Sequence, residues 1–454
     1  MKNSESLEKL LRFIKDTRWE DLDLSVQKQA IKCFLDLAGV LTAGAKNNSA
    51  KSSARYVAHN YPTGDCTVFA TGEKSNLIGA AMANGMAANA LDLDDGFSLL
   101  RGHPGSGFFG ALLSAAEISG CTYGEFLTAL VVSYEVSIRQ GFSVRNYYGW
   151  DHSTGCYSAF SAAAGIGKLL KLDLHHLQMA ISTADFIAPL NPAKRSCYYP
   201  SMNKDGVYFG QHAGAQAVMM ALDGITGCNP VILDDPYISY IDTLGEKYYF
   251  FDLYIKFYSA CRWAHGPICA IEKIMTETPF ELDQIEKIDV HSFGYAGTLY
   301  KEAPTCEDEA QYNIIYPLVA QLLFGNCGPL ESSTTKMLDS RVPGLIQLIE
   351  FHYDEEYDRF FPAKRICRVE ITLKDGTVLN SGATEPKGDV NSKVSLQDIK
   401  DKIFQLNTLY APEKMVSDMI ETICSTSVNE PFDTVLQKIK LVAVTNEHPE
   451  YQFI

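Results

Sequence analysis

Two segments of the chain consist almost entirely of small, uncharged residues. They are AAMANGMAANA at 80–90 and YSAFSAAAGIG at 157–167. The first predicts an apolar helix, and the second predicts a helix buried among other helices, because small side chains let helices approach one another closely. Both segments therefore favour a fold in which helices pack around helices.

Amphipathic helix patterns occupy most of the chain before residue 270. Residues 26–40 carry apolar side chains at helical spacing, and Gly44 marks the end of that helix. Thr122 and Glu125 have the spacing of a capping box, which predicts a helix start. A second capping box, SLQD at 395–398, predicts that helix returns near the end of the chain.

The pattern changes after about residue 270. RVEITLKDGTVLN at 368–380 alternates Val369, Ile371 and Leu373, and its Asp-Gly pair is a favoured hairpin turn. We therefore predict a mainly α fold with an inserted α+β unit. The predicted boundaries are 1–267 and 398–454 for an all-helical main domain formed by both chain ends, and 268–397 for the insert.

Composition excludes several classes of protein. The chain has 454 residues and a formal net charge of −16, which disfavours nucleic acid and anionic membranes as partners. No run of about 18 apolar residues predicts a membrane span. The twelve cysteines form no CxxC pair, and the first residues lack a signal-peptide pattern. We expect a reduced, cytoplasmic protein.

Three carboxylates and a histidine follow the first small-residue segment, in LDLDDGFSLLRGHPG at 91–105. Asp92 and Asp95 share a helix face, so they suit acid–base chemistry, but Asp95 with Gly96 equally suits a cap and a turn. An EF-hand calcium loop does not fit, because the glycine comes one residue early and its twelfth position is His103. Spacing alone leaves catalysis and capping open.

Two histidines and several cations stand where loops meet helix starts. His103 lies in a turn, and His152 lies in GWDHSTG just before the second small-residue helix. Such loops commonly carry function, although isolated loop histidines are often only solvated. The chain lacks an HExxH motif, so a metal site has little support. The cations of interest are Lys204, Lys256 and Arg262, with His265 in the same segment as the last two.

These segments together resemble the MmgE/PrpD family, which includes 2-methylcitrate dehydratase, cis-aconitate decarboxylase and iminodisuccinate epimerase. The resemblance runs in order along nearly the whole chain. It rests on CFLDLAGVLTAG (33–44), AMANGMAANALDLDDG (81–96), GHPG (102–105), GWDHSTGCYSAFSAAAGIGKLLKLD (149–173), MNKDGVYFGQHAGAQAVMMALDGITG (202–227), IKFYSACRWAHGPICAI (255–271), AQYNIIYPLVAQLLFG (310–325) and EPKGDVNSKVSLQDIKDKIF (385–404).

The resemblance implies that the insert is a lid over a pocket and that the protein is a homodimer without a metal or organic cofactor. It also implies the site residues. The catalytic positions are Asp92, His103, His152, Lys204 and Tyr316, and the substrate-binding positions are Lys256, Arg262 and His265. The chain departs from the family at Gly96, where a threonine is common, and at Asn89, where a histidine is frequent.

The family reactions change bonds at a carbon beside a carboxylate, so we expect a lyase that acts on a small di- or tricarboxylate, by dehydration or decarboxylation. We hypothesise that Lys204, Lys256 and Arg262 bind carboxylates and that His103 and His152 transfer protons. Asp92 would orient a histidine, and Tyr316 would donate a hydrogen bond or a proton. The alternatives are an epimerase or isomerase of an iminodisuccinate-like amino diacid and a non-catalytic carboxylate-binding protein.

Overall fold

The computed structural model describes residues 2–151 and 153–446. The predicted mainly α class is confirmed, because the described residues form nineteen α-helices and eight short strands. The helices before residue 230 are α1 (Lys2–Asp16), α2 (Leu24–Gly44), α3 (Asn48–Asn60), α4 (Leu77–Asn89), α5 (Ser106–Ser119), α6 (Tyr123–Tyr148), α7 (Gly155–Leu169), α8 (Leu174–Ile187), α9 (Lys194–Tyr198) and α10 (Val207–Leu222).

Shorter helices follow, and three helices close the chain. They are α11 (Arg262–Glu277), α12 (Glu307–Gln311), α13 (Tyr316–Phe324), α14 (Thr334–Met337), α15 (Val342–Ile346), α16 (Glu355–Asp358), α17 (Leu396–Asn407), α18 (Glu413–Ser425) and α19 (Asp433–Val444). The strands are β1 (Cys66–Thr67), β2 (Lys74–Ser75), β3 (Gly96–Phe97), β4 (Leu253–Tyr254), β5 (Ile285–Ser292), β6 (Ile349–Tyr353), β7 (Cys367–Leu373) and β8 (Val378–Asn380).

The described residues pack around two hydrophobic cores. The first core combines residues between Leu10 and Ile255 with residues between Ile399 and Ala443, so both ends of the chain contribute to it. The second core draws almost wholly on residues 258–373. The site described below lies where segments of the two cores meet.

A four-stranded sheet in the order β6-β5-β7-β8 belongs to the second core. Strand β5 is parallel to β6 and antiparallel to β7. Val369 and Ile371 of β7 are buried, as the alternating pattern predicts. Asp375 and Gly376 form the turn that leads to β8, and Gly376 has φ +87, a conformation that glycine adopts without strain.

The small-residue helices are buried because other helix backbones lie directly against them. A Cβ on Gly110 of α5 would overlap the backbone of α4 at Asn84 and Gly85, and a Cβ on Gly214 of α10 would overlap the carbonyl of Ala159 in α7. Helix α4 is therefore enclosed on all sides, and its C-terminal end delivers the acid-rich loop into the interior. No helix in the described ranges is long and apolar enough to cross a bilayer.

Candidate active site

The acid-rich loop after α4 is buried rather than solvated. Asp92, Asp94 and Asp95 are each at most 1% exposed. Asp92 has φ +48, in the left-handed region that non-glycine residues seldom occupy and that occurs often at functional sites. The amide nitrogen of Asn89 donates to Asp94 Oδ1 at 3.0 Å and so fixes one of these carboxylates. A carboxylate that only capped a helix end at the surface would not need to be buried in this way.

His103 lies among three carboxylates. Its Nδ1 is 3.0 Å from Asp94 Oδ2, while its Nε2 is 3.3 Å from Asp205 Oδ2 and 3.6 Å from Asp92 Oδ1. Burial alone would lower the pKa of His103, but the carboxylates of Asp94 and Asp92 outweigh burial and raise that pKa to about 9. The imidazole is therefore protonated at neutral pH and can act as a proton donor.

The carboxylates around His103 differ in their own proton affinity. Burial would raise the pKa of Asp94, but the His103 imidazolium holds it well below its usual range. Burial raises the pKa of Asp205, with His103 opposing the shift and Asp92 adding to it. Asp94 is thus an anion that orients the imidazole, whereas Asp205 lies on the Nε2 side with a raised pKa. The hypothesis from sequence gave the orienting role to Asp92.

Lys256 and Lys204 have different surroundings. Lys256 is fully buried, and its Nζ lies 2.7 Å from Asp92 Oδ1 in an ion pair. Lys204 has φ +42, and its ammonium group donates to the Asn89 and Ala90 carbonyls, at 3.2 and 2.5 Å, and to the side-chain oxygen of Gln311. Since these three contacts match the donor capacity of an ammonium group, Lys204 holds the end of α4 in place.

His265 is a second buried histidine with the opposite charge state. Its Nε2 lies 3.0 Å from the Ala260 carbonyl, and its Nδ1 lies 3.2 Å from a guanidinium nitrogen of Arg262. Burial, reinforced by the Arg262 and Lys256 cations, holds the pKa of His265 well below its usual range. His265 is therefore neutral, donating to the carbonyl and accepting from the arginine.

Asp95 stabilises the acid-rich loop and does not line the cavity. Its carboxylate accepts from the Gly105 N–H at 3.1 Å and from the Tyr134 hydroxyl. Burial raises the pKa of Asp95 to about 7, against the hydrogen bond from Tyr134. These contacts close the loop against α6, which is the structural alternative that spacing left open for this residue.

A small cavity of about 30 Å³ lies against His103. Asp205, Tyr312 and Tyr254 also line it, and three arginines complete the wall: Arg101, Arg262 and Arg365. This volume holds one or two water molecules, so the cavity must widen to admit a di- or tricarboxylate. A larger cavity of about 540 Å³, between the end of α1 and helices α6 and α7, contains none of the site residues expected from sequence.

The structure brings most of the expected site residues together, with two exceptions. His152 lies outside the described residues. The Tyr316 hydroxyl donates to the Glu331 carbonyl and does not line the cavity. Tyr312, four residues earlier at the end of α12, does line it, and its hydroxyl lies 3.1 Å from Asp205 Oδ2.

Sequence reasoning missed Asp205, Tyr312, Arg101 and Arg365. The signal for Asp205 was its position directly after Lys204, and the signal for Tyr312 was its place in the same motif as Tyr316. Nothing in the sequence distinguishes Arg101 or Arg365 from ordinary surface arginines. Both are recognised only by their position at the cavity, where Arg365 is buried and Arg101 is half-buried.

Gly96 makes room for Tyr254. A Cβ at Gly96 would overlap the hydroxyl and ring carbons of Tyr254, which pairs with Gly96 through β3 and β4. The ring of Tyr254 therefore occupies the place beside the cavity that a larger residue at position 96 would take. The threonine common in the family would not fit here unless Tyr254 moved.

Asp92, Asp94 and His103 form a set that can in principle hold a metal ion, since their ligand atoms lie within 4.8 Å of one another. Carboxylate and imidazole ligands suit several divalent metals. In this arrangement, however, Lys256 and the His103 imidazolium already balance the negative charge that a metal would neutralise. The residues therefore fit an internal ion-pair network better than a metal centre.

A second such set, Asp289, Glu350 and His352, lies on the sheet. The ammonium group of Lys287 lies between its two carboxylates, 2.9 Å from Asp289 and 3.0 Å from Glu350. His352 Nε2 is 2.6 Å from Asp289 Oδ1. Side chains of the protein therefore already serve as the ion-pair and hydrogen-bond partners of this set.

Comparison with known proteins agrees with the order of the motifs along the chain. Residues 8–248 match the MmgE/PrpD N-terminal domain, and residues 258–424 match the MmgE/PrpD C-terminal domain. The chain belongs to the MmgE/PrpD family. The resemblance identified from the sequence is thereby confirmed.

Individual relatives are similar over most of their length. The cis-aconitate decarboxylase-like protein oryM of Aspergillus oryzae is 25% identical over 424 residues, covering 84% of this chain and 86% of the relative. A cis-aconitate decarboxylase of Aspergillus terreus is 24% identical over 410 residues, covering 81% and 82%. The cis-aconitate decarboxylase of Mus musculus is 24% identical over 379 residues, covering 76% and 74%.

Proposed function

We propose that this protein is a lyase that needs no metal or organic cofactor and acts on a small di- or tricarboxylate by proton transfer at a carbon beside a carboxylate. Decarboxylation of a cis-aconitate-like substrate is the reaction we favour, because the named relatives are cis-aconitate decarboxylases. Dehydration of a 2-methylcitrate-like substrate uses the same groups. The observation that carries the proposal is the position of His103, whose Nδ1 is 3.0 Å from Asp94 and which lines a cavity whose wall includes three arginines.

In the proposed reaction the bond between carbon and one carboxylate breaks and carbon dioxide leaves. The electron pair of that bond spreads onto the remaining conjugated carboxylate, where the cations of the cavity stabilise the developing negative charge. The Nε2 proton of His103 then moves to carbon, and solvent reprotonates the imidazole. Asp94 holds the ring through Nδ1, so that Nε2 faces the cavity. In a dehydration Asp205 would take the proton from the carbon beside the carboxylate, and the His103 proton would go to the departing hydroxyl group, which leaves as water.

The other site residues expected from the sequence have the following roles in the proposed reaction. Lys204 positions the loop, because its ammonium donors are bound to the end of α4 and to Gln311. Lys256 balances Asp92, and Arg262 binds substrate. Tyr312 takes the role at the cavity that sequence gave to Tyr316.

His152 stays in the proposal as a second proton-transfer group on the strength of the resemblance. His265 supports Arg262 as a neutral hydrogen-bond partner. We propose that residues 268–397 act as the lid, because Arg365 of this segment reaches Ser98 of the first core at 2.8 Å.

An epimerase or isomerase of an iminodisuccinate-like amino diacid is the second candidate. The observation that favours it is the altered wall at Gly96, where Tyr254 fills the space of the common threonine. A different wall selects a different substrate. In that reaction Asp205 would remove a proton from one face of a carbon and His103 would deliver one to the other face, so the two groups, now in contact at 3.3 Å, would have to separate around the substrate.

One assay separates these reactions. The purified protein is incubated in deuterated buffer with cis-aconitate, 2-methylcitrate, citrate and iminodisuccinate, and alkene absorbance, carbon dioxide and deuterium incorporation are followed. Carbon dioxide from cis-aconitate supports the favoured reaction, and new alkene absorbance supports dehydration. Deuterium uptake without net product identifies an epimerase. Absence of all three signals with every compound contradicts the proposal.

We also propose that the protein is a cytoplasmic homodimer. Twelve unpaired cysteines suit a reducing compartment. Large apolar side chains are exposed along the end of α6, the segment after α8, and α9, as expected of a surface covered by a second copy. They include Tyr147, Phe186, Leu190, Tyr198 and Tyr199. Sedimentation velocity should give a dimer, and Phe186→Glu with Tyr199→Glu should shift it to monomer. A monomeric wild type contradicts this proposal.

A further inference from the structure

Arg365 is a buried cation that forms no ion pair with any of the described residues. Its exposed fraction is 1%, and it lies just before β7 in the segment that packs around the second core. Its guanidinium donates to Ser98 Oγ at 2.8 Å and makes long contacts, each 3.4 Å, with the Ser98 and Pro362 carbonyls. Its Nε–H has no hydrogen-bond partner, and no carboxylate lies within 4 Å of it in the described ranges.

The two neighbouring arginines of the wall are paired. Arg262 lies 2.5 Å from Asp389 Oδ1, and Arg101 forms an ion pair with Asp151. An arginine side chain stays charged in proteins, and a buried charge without a partner is strongly destabilising. A native structure retains such a group where a ligand supplies the missing charge, and Arg365 lines the cavity that also holds His103.

Aromatic rings hold the guanidinium of Arg365 in place. It lies 5.2 Å from the centre of the Tyr254 ring and 6.0 Å from the centre of the Phe361 ring. Arg262 lies 4.5 Å from the centre of the same Tyr254 ring. Rings on which a guanidinium packs restrict its rotation while leaving its edge free for a bidentate contact with a carboxylate.

We propose that Arg365 is a specificity-determining residue that binds a second carboxylate of the substrate, one that does not react. This inference rests on the proposed function and deepens it, because it defines the substrate class as molecules with at least two carboxylates. The reacting group lies at His103, and the distant carboxylate lies at Arg365. A monocarboxylate would leave the Arg365 charge unpaired and bind weakly.

Tricarballylate, a saturated tricarboxylate that can be neither decarboxylated nor dehydrated by this chemistry, is the probe. Calorimetry on the full chain should show that the wild type binds tricarballylate at least about tenfold more tightly than butyrate or inorganic phosphate. Arg365→Gln should weaken tricarballylate about 30-fold and leave butyrate unchanged. Arg365→Lys should recover part of the loss. Arg341→Gln, at an exposed arginine paired with Asp339, is the matched control and should change nothing.

A measurement of thermal stability distinguishes a ligand-binding role of Arg365 from a structural role. Without ligand, Arg365→Gln should melt no lower than the wild type, because it removes an unpaired buried charge. Tricarballylate should raise the melting temperature of the wild type and not that of the variant. A variant that folds poorly or melts clearly lower makes Arg365 structural and overturns the inference. So does unchanged tricarballylate affinity in Arg365→Gln, or a wild type that binds no tricarballylate or prefers phosphate.

The inference and the proposed function can fail separately. The protein could bind tricarballylate through Arg365 and yet act on none of the four assay compounds. That result would support the inference and contradict the proposed reaction. Alternatively, Arg365→Gln could decarboxylate or dehydrate a substrate with the kcat/KM of the wild type. That result would support the proposed reaction and contradict the inference.

Discussion

The two walls of the cavity differ in charge and in the part of the chain that builds them. The acidic wall, by which we mean His103 and Asp205 at the cavity together with Asp92 and Asp94 that contact His103, comes from segments of the first core. The arginine wall, which is Arg101, Arg262 and Arg365, takes its last two members from segments around the second core. In the proposed mechanism, proton transfer and anion binding would therefore belong to separate parts of the fold.

Each side of the site includes a buried histidine, and the two histidines have opposite charge states. His103 faces carboxylates and has a pKa raised to about 9, whereas His265 faces Arg262 and Lys256 and has a pKa well below its usual range. Both are desolvated, so burial cannot be the cause of the difference. The neighbouring charges decide it, and these are fixed by the fold.

Loss of His103 should have the largest effect on the acidic wall. His103→Gln should lower kcat about 10²–10⁴-fold, because a general acid is removed while the loop contacts of Asp95 and Lys204 remain. The measurement is steady-state kinetics on the substrate found in the assay, with circular dichroism to show an intact fold. His59→Gln, at an exposed histidine, is the control. Near-wild-type turnover in His103→Gln would remove this residue from the mechanism.

Replacement of Lys204 should chiefly lower the stability of the acidic wall and should affect its chemistry only as a consequence. Lys204→Met leaves the Asn89 and Ala90 carbonyls without their buried donor, so unfolding free energy should fall by about 2–4 kcal/mol. Urea unfolding measures this, with Lys414→Met at an exposed position as the control. An unchanged stability together with a large rise in KM would instead show that Lys204 binds substrate, as the sequence hypothesis had it.

The pH profile tests the direction in which His103 transfers its proton. As a general acid with a pKa of about 9, His103 loses activity as pH rises through that value, whereas a general base would gain activity there. Asp94→Asn removes the carboxylate that contributes most to the raised pKa. The alkaline limb of kcat/KM should then move down by at least about one pH unit, a loss of about threefold near pH 8.5 that grows to about tenfold above pH 10. Asp65→Asn, at an exposed site, should leave the limb in place.

The smallest effect is expected where the walls meet, at Gly96. Gly96→Ala places a Cβ against Tyr254 and should raise KM about threefold with little change in kcat, because a buried ring of the wall must shift. Gly344→Ala is the matched control, since nothing lies within 4 Å of the added carbon there. An unchanged KM in Gly96→Ala would show that the position of Tyr254 does not govern substrate fit.

Much of the fold could be predicted from local patterns. The alternation through Val369 and Ile371 gave β7, and the capping box of Thr122 and Glu125 marks the start of α6. These signals work because a strand or a helix start depends on residues a few positions apart. The helical nature of α4 followed for the same reason, and its burial determines where the acid-rich loop lies.

The arginine wall could not be predicted, because it depends on contacts between distant residues. Arg365 and Ser98 are 267 positions apart, and AKRICRV reads as an ordinary basic segment before a strand. Tyr316 was preferred to Tyr312 because both lie in one motif, and only the structure shows which hydroxyl approaches Asp205. That Asp94 and not Asp92 contacts Nδ1 of His103 is likewise visible only in the structure.

The central claim is that His103 is an imidazolium held by the acidic wall. The most direct measurement is an NMR pH titration of the full chain with ¹³C-labelled histidine, with the His103 signal assigned by its loss in His103→Gln. The account predicts that this signal stays in its protonated form through neutral pH and titrates near pH 9, while the His265 signal stays neutral. A His103 signal that titrates at or below pH 6.5 would contradict the account.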